Sequence, residues 1–378
     1  MKRRFRMGMV GGGPGAFIGG VHRMAARLDG KIDLVCGAFS TTREKNMVMA
    51  EELLLPVERC YDTYQQMIEA EAALPEGERM DFVAVTTPNS THYPIAMCAL
   101  EHGFHVVCEK PMTMDAAEAK ALAAKVQETG LLFALMHNYS AYPMVRQMRG
   151  MIAAGAIGTP RKVVSTYDLG WLAGNNASKQ AEWRVNPKFS GAAACVGDIG
   201  THAEQLIEFT TGLKITEVAA DLTTFVDGRL LDDDATIMLK FEGGAKGVIE
   251  VSEVATGEEN QFKLRVYGTT GSLEWAQMEP ENLILRTNDN AMRILRRGWA
   301  GTLDEVKPFL RTPSGHPEGF IEAFANIYLD FANALEARSE GRPYKTSYPD
   351  VIDGLREMLF VEAVVSSSRN NGAWTSVR

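Results

Sequence analysis

The chain is poor in cysteine, lacks a basic excess and has no long apolar run, and each absence removes a class of function. Its five cysteines, Cys36, Cys60, Cys98, Cys108 and Cys195, are scattered without a C-x-x-C pair. That scatter offers neither a disulfide framework nor a metal site and fits reduced thiols in the cytoplasm. Lys and Arg number 39 against 48 Asp and Glu, a net charge of -9, which argues against nucleic acid or an anionic membrane as partner. No apolar run reaches the roughly 18 residues of a membrane helix, so no membrane association is expected. No export signal is expected either. The paired arginines of Lys2-Arg3-Arg4-Phe5 are followed from Met7 to Gly20 by a strand pattern and a glycine-rich turn, where an apolar segment and a cleavage site would be needed.

What is present describes an ordinary globular enzyme: 378 residues, 46% hydrophobic and 23% charged, enough for two domains with separate cores. From Met7 to Met136, apolar strand patterns at Met7–Val10, Ile32–Ala38, Phe82–Thr86, His105–Cys108 and Leu132–Met136 alternate with amphipathic helical stretches. Such alternation predicts an α/β fold, a doubly wound parallel sheet covered on both faces. After Tyr139 the period changes. Strand-like segments at Lys162–Tyr167, Thr216–Leu222, Ala235–Phe241, Lys246–Ser252, Lys263–Tyr267, Ser272–Trp275 and Leu283–Arg286 are separated by turn signals such as Glu242-Gly243-Gly244. They predict an open, mostly antiparallel sheet in an α+β domain, with closing helices over Glu318–Ala337 and Asp350–Ser368. The expected division is residues 1–140 for nucleotide binding and 141–378 for substrate binding and oligomerisation.

Gly11-Gly12-Gly13-Pro14-Gly15-Ala16-Phe17-Ile18-Gly19 follows the first strand and precedes a helix. That context suits a dinucleotide pyrophosphate, cradled by Gly11 and Gly13 and by the backbone around Phe17 and Ile18 at the helix start. The spacing is irregular, since Gly19 fits the fingerprint only with about three extra residues. After the second strand, Ser40, Thr41 and Arg43 stand where an acidic residue usually selects NAD. A hydroxyl pair with an arginine suits a 2′-phosphate and tips the choice between NAD and NADP toward NADP. Thr87, Pro88, Asn89 and His92 follow the third strand, at the expected cofactor cleft.

Glu109-Lys110-Pro111 ends the fourth strand, and a lysine there invites a functional reading because lysine is rarely buried without a partner. Further on, Gly197-Asp198-Ile199-Gly200-Thr201-His202 opens a helix whose four-residue spacing sets Asp198 and His202 on neighbouring turns. A histidine near neutrality suits removal of a hydroxyl proton, and a carboxylate suits its orientation.

On the glycine turn, Thr87-Pro88-Asn89-x-x-His92, Glu109-Lys110-Pro111 and Asp198-x-Gly-x-His202, the chain resembles the glucose–fructose oxidoreductase, inositol dehydrogenase and MocA family over nearly its whole length. The resemblance implies a Rossmann domain, a second domain whose sheet often mediates oligomers, and NAD(P)-dependent oxidation or reduction of a secondary carbinol of a sugar or cyclitol. It implies that Lys110 hydrogen-bonds the reacting oxygen and contacts the nicotinamide ribose, that His202 is the base, and that Asp198 shares substrate hydroxyls. Ala192-Ala193-Ala194-Cys195 departs from the glycine-richer segment of many members. Glu109 and His137 are further expected near the cofactor. Tyr139, Asp168, Trp171, Trp183, Arg184 and His316 are expected near the substrate, where aromatic faces and fixed hydrogen-bonders suit a sugar. Two other functions share these motifs: a redox-neutral NAD-dependent glycosidase using transient oxidation, and a non-catalytic nucleotide-sensing regulator.

Overall fold

The computed structural model describes residues 3–174 and 179–378. In chain order the first elements are β1 (Phe5–Gly11), α1 (Phe17–Leu28), β2 (Ile32–Ala38), α2 (Arg43–Glu52), α3 (Tyr64–Ala73), β3 (Phe82–Thr86), α4 (His92–Glu101), β4 (His105–Cys108), α5 (Ala116–Thr129) and β5 (Phe133–Leu135). There follow α6 (Pro143–Ala153), β6 (Pro160–Asp168), α7 (Lys179–Arg184), α8 (Pro187–Ser190), α9 (Thr201–Thr211), β7 (Ile215–Thr223), β8 (Asp234–Phe241) and β9 (Lys246–Ser252). Last come β10 (Gln261–Gly268), β11 (Gly271–Ala276), β12 (Asn282–Thr287), β13 (Asn290–Arg296), α10 (Phe320–Ser339), α11 (Val351–Arg369) and β14 (Thr375–Ser376). Two compact units result: Met1–Asn138 with Phe320–Leu355, and Tyr139–Gly319 with Arg356–Arg378.

The first unit holds a parallel five-stranded sheet in the order β2-β1-β3-β4-β5. Every residue of β3 is buried, as a strand covered on both faces requires. Helix α5 shows how local chemistry sets an element: the Asp115 side chain caps it by accepting from Glu118 N, and Gly130 stops it at φ 61°. Helix α10, some 200 residues beyond this sheet in sequence, packs here: Phe331 meets Phe82 of β3 edge-on at 5.2 Å, and Phe324 meets His22 of α1 at 5.4 Å. Its sequence pattern announces a helix without saying which sheet it covers. The strand order reverses between β1 and β3, so the carboxyl ends of those strands form the crevice in which such sheets bind nucleotides.

The second unit is built on a nine-stranded sheet ordered β13-β12-β11-β10-β6-β9-β8-β7-β14, antiparallel except for the β6–β9 pair. Burial alternates along β8 and β10, as expected for one face packed and one face solvated. Tyr142, Phe262 and Trp275 form part of the packed face, with Tyr142 and Trp275 ring centres 5.3 Å apart. Two strands escape the sequence reading. β13 shows almost no buried position, so it carries no hydrophobic alternation, and β14 is two residues long. No helix among the described residues is long and apolar enough to cross a membrane.

Candidate functional site

In the first unit the glycine turn is a steric necessity. Gly11 has φ 89°, and a Cβ there would stand 2.6 Å from the Thr86 carbonyl oxygen. A Cβ on Gly13 would lie 2.7 Å from the Phe39 carbonyl oxygen, and one on Gly19 would collide with the Gly12 backbone. Gly19 thus provides the close helix-to-turn approach that the fingerprint's last glycine serves. Helix α1 begins at Phe17 with Ala16 at its N-cap and no side chain capping it, which leaves first-turn N–H groups for an anion. The Phe17 ring is exposed and stacks at 6.4 Å on Phe320. Two buried polar atoms in the same region, Thr87 Oγ1 beyond β3 and Asn138 Nδ2 beyond β5, have no partner among the described residues. Uncapped N–H groups, a glycine cradle and orphaned polar atoms at the carboxyl edge of a parallel sheet fit a dinucleotide.

Two other first-unit candidates, His92 and Glu109, bond within the fold. His92 is fully buried, and its two ring nitrogens each lie 2.8 Å from a carbonyl oxygen, Pro111 O and Thr87 O. It ties the turn after β3 to the loop carrying Lys110, whose peptide bond to Pro111 is cis. Glu109 turns inward to His22 Nε2 at 2.7 Å, and His22 Nδ1 meets the Tyr328 hydroxyl at 2.6 Å. Burial works to raise the Glu109 carboxyl, yet the His22 hydrogen bond and the charges of His22, Lys110 and His92 prevail and hold it below its usual value. His22 and Tyr328 were missed from sequence, because nothing local links them to Glu109. His137 is fully buried. Asn89 is buried beside Pro88. At the end of β2 the Asn46 amide holds Ser40: its Oδ1 accepts from Ser40 N, and its Nδ2 donates to Ser40 O. Thr41 is exposed, and Arg43 donates to the Cys60 carbonyl at 2.7 Å and to Asp62 at 3.2 Å.

In the second unit, Asp198 and His202 share one continuous turn-and-helix, with a local difference from expectation. Val196–Gly200 forms a π-helical turn, and α9 starts only at Thr201. Such turns are rare and concentrate at functional sites. A remote group fixes this one: the Asp232 carboxylate accepts from Ala194 N at 2.7 Å and Val196 N at 2.8 Å. His202 is 5% exposed, and its ring stands edge-on to Tyr139 at 4.8 Å and 6.4 Å from Tyr167. The two tyrosine hydroxyls bond at 2.6 Å, and Asn260 donates to Tyr139 at 3.3 Å. Tyr139 therefore braces the imidazole from within the core.

Arg184 Nε donates to Asp198 Oδ2 at 2.9 Å while its guanidinium lies over Trp183 at 4.4 Å and Trp171 at 5.6 Å. Trp171, Trp183, Arg184, Asp198 and His202, dispersed in the sequence, are brought into one region. Two candidates lie apart from it. Asp168 points to the opposite face of β6 from Tyr167 by strand alternation; burial and the charges of Glu258, Glu250 and Asp234 raise its carboxyl. The His316 side chain is exposed, and its carbonyl accepts from Arg297 Nη2 at 2.6 Å. A residue absent from the sequence reading, Glu253, is 1% exposed just beyond β9, and burial with the charge of Asp198 pushes its carboxyl well above its usual value. The only signal for it in sequence is an acid directly after a strand.

Residues 5–137 match the model of an oxidoreductase family with an NAD-binding Rossmann fold, and residues 145–274 match the GFO/IDH/MocA C-terminal domain. An uncharacterized oxidoreductase, YfiI, of Bacillus subtilis is 33% identical across 100% of this chain and 98% of its own. An oxidoreductase from Sinorhizobium meliloti is 44% identical, with TM-score 0.90 and 99% of each chain covered. The crystal structure of an inositol dehydrogenase homolog from Azotobacter vinelandii, complexed with NADH and myo-inositol, is 32% identical, with TM-score 0.93 over 100% of this chain and 98% of that one.

Proposed function

The chain belongs to the GFO/IDH/MocA oxidoreductase family, and from that premise we propose that it moves a hydride between NAD and a secondary carbinol of a sugar, glycoside or cyclitol. One observation carries the substrate class: an acid–guanidinium pair framed by two indoles, Asp198, Arg184, Trp171 and Trp183. Carbohydrates and cyclitols present hydroxyl rims and apolar C–H faces, and this cluster offers a partner for each. The inositol dehydrogenase homolog bound to myo-inositol supports the same class.

The nicotinamide ring, when bound, supplies the hydride acceptor or donor. His202 takes the carbinol proton in oxidation, held at a fixed angle by Tyr139 and Tyr167. In our reading Lys110 stabilises the negative charge that develops on the reacting oxygen. Asp198 accepts a neighbouring substrate hydroxyl while Arg184 holds its other oxygen. Backbone N–H groups at Phe17 and Ile18, with Gly11 and Gly13, receive the pyrophosphate; Thr87 and Asn138 bring polar atoms to the same edge. At the adenosine ribose, Ser40 and Thr41 offer hydroxyls. Arg43 is spent on Cys60 O and Asp62, which favours NAD over a 2′-phosphate.

His202→Ala tests the reading. With a panel of polyols, aldoses and glycosides followed at the nicotinamide absorbance, it lowers kcat/KM by about 10²–10⁴-fold while nucleotide affinity holds. Normal turnover removes His202 as base. Glycoside cleavage with no net change in absorbance would replace net hydride transfer with the redox-neutral glycosidase.

The five cysteines are free thiols, which supports a reducing cytoplasmic setting. The solvated face of the nine-stranded sheet carries a row in register: Met238, Val248, Val164, Arg265, Glu274, Ile284 and Ile294. Both ends of the row are apolar, with Met238 51% and Ile294 53% exposed. A second copy of the chain covers this face in our reading, giving a dimer or tetramer. Light scattering that finds a monomer at micromolar concentration would remove it.

A further inference from the structure

An exposed loop in the second unit turns one side chain inward. Between β7 and β8, Phe225, Asp227, Gly228 and Leu230 are exposed, Leu230 by 78%, yet the Arg229 side chain among them is only 9% exposed. Arginine is rarely buried unless its donors are taken, and here they are. Nη1 donates to Asp233 Oδ2 at 3.1 Å, and Nη2 donates to the carbonyl oxygen of Leu172 and, at 3.1 Å, to that of Gly174. Asp233 is itself fixed. Its side chain, 2% exposed, accepts from Phe225 N at 2.8 Å and from Val226 N at 3.0 Å.

The two carbonyls that Arg229 reaches belong to the turn after β6, which carries Trp171. The N–H groups of that turn are bonded elsewhere: Gly170 N donates to Glu258 O at 2.9 Å, and Leu172 N to Glu253 O at 3.1 Å. Arg229 holds the turn from its carbonyl side, across a distance in sequence of more than fifty residues. Beside these bonds lies a hollow of about 460 Å³, lined in part by Leu172, Ala181, Val185, Pro187, Gly228 and Leu230. Close packing does not pin the turn on that side, which leaves the work to charge-assisted hydrogen bonds.

Building on the proposed place of Trp171 in the substrate cluster, we propose that Arg229 is a positioning residue for substrate recognition, clasping the Leu172 and Gly174 carbonyls and so fixing the Trp171 indole. The Trp171 ring lies 5.6 Å from the Arg184 guanidinium, whose Nε donates to Asp198 at 2.9 Å. Arg229 acts through Trp171 and not on the substrate itself. The choice of arginine follows from geometry: a planar fork sends donors to Asp233 and to both carbonyls at once, which an ammonium does not reproduce.

Amide hydrogen exchange of the whole protein without substrate tests the clasp. In the wild type the peptide containing Leu172 is protected by its bond to Glu253 O. Arg229→Met should speed its exchange about tenfold while β8 and β9 keep their wild-type rates. Unchanged exchange at Leu172 overturns the proposal. If Met leaves the Asp233 carboxylate unpaired and the fold gives way, exchange quickens in β9 as well. Arg229→Lys, which keeps a cation beside Asp233, is then read by the same criterion. Kinetics test the consequence. With a carbohydrate that the wild type oxidises, the same variant raises KM about tenfold while kcat and NADH affinity stay within about threefold. Trp171→Ala raises KM to a similar extent, and adding the Arg229 change to it has little further effect. An unchanged KM, or losses that multiply in the double variant, overturns the link to Trp171. Hydrogen exchange needs no turnover, so a failed clasp is distinguished from a failed substrate class or a failed His202 reading.

Discussion

Glu109 in the first unit and Glu253 in the second are both buried, and their carboxyls are shifted in opposite directions. Water is withdrawn from each, which by itself favours the neutral acid. Glu109 faces the His22 imidazole at 2.7 Å and lies near the charges of Lys110 and His92, so it stays ionised. At Glu253 burial and the charges of Asp198 and Asp232 outweigh that of Arg184 and hold the carboxyl well above its usual value. Burial raises the stakes at both positions, and the sign is decided by the charges around each.

The contrast breaks most severely at the partner of the ionised member. His22→Ala leaves Glu109 buried without its imidazole and should cost about 3–5 kcal/mol in guanidinium melts. Pairing it with Glu109→Gln should recover much of that, and an unaltered melt for His22→Ala would remove the buried-pair account. Next comes the lysine beside Glu109. Lys110→Met should lower kcat/KM by about 10²–10³-fold with little change in thermal stability, since its proposed role is to meet charge that develops during reaction. Loss of stability comparable to that of His22→Ala would instead make Lys110 part of the brace.

Stability against pH sharpens the comparison, with opposite signs for the two glutamates. The folded state holds Glu109 below its unfolded value, so its contribution is present above the ordinary carboxylate range and is lost as pH falls through the folded value. Glu253 is raised, so its contribution is full below the unfolded value and is lost as pH rises through the folded one. Glu109→Gln should flatten the acid limb of a melting-temperature profile, and Glu253→Gln the neutral-to-alkaline limb. Identical profiles for the two variants would deny the contrast. The smallest effect belongs to Arg43→Ala. Its ion pair with Asp62 is half exposed, so the change should cost less than about 1 kcal/mol. The ratio of NAD to NADP turnover should stay within about threefold, and a sharp loss of NADP use would assign Arg43 to a 2′-phosphate after all.

The two regions also differ in how visibly the sequence carries them. The glycine turn, the strand before Glu109-Lys110-Pro111 and the Asp198-x-Gly-x-His202 helix are local, and short-range sterics and periodicity express them within a few residues. The π-helical form of the Asp198 turn is not local, since its cap is Asp232, held by a loop more than thirty residues on. His22, Tyr328 and Glu253 went unseen for the same reason: a buried acid looks like any other acid until its neighbours are known. β13 went unseen for a different reason, because an edge strand with almost no buried side chain leaves no alternating pattern to read.

By itself the sequence determined the element types, the parallel-then-antiparallel order of sheets, and the candidates for cofactor and proton chemistry, because backbone sterics and apolar periodicity act over short stretches. Only the tertiary structure decided that α10 covers the first sheet, that Tyr139 supports His202, and that one buried glutamate is held below its usual value while the other is pushed above it. Those outcomes depend on distances between groups far apart in the chain, and electrostatic and packing energies are set by such distances.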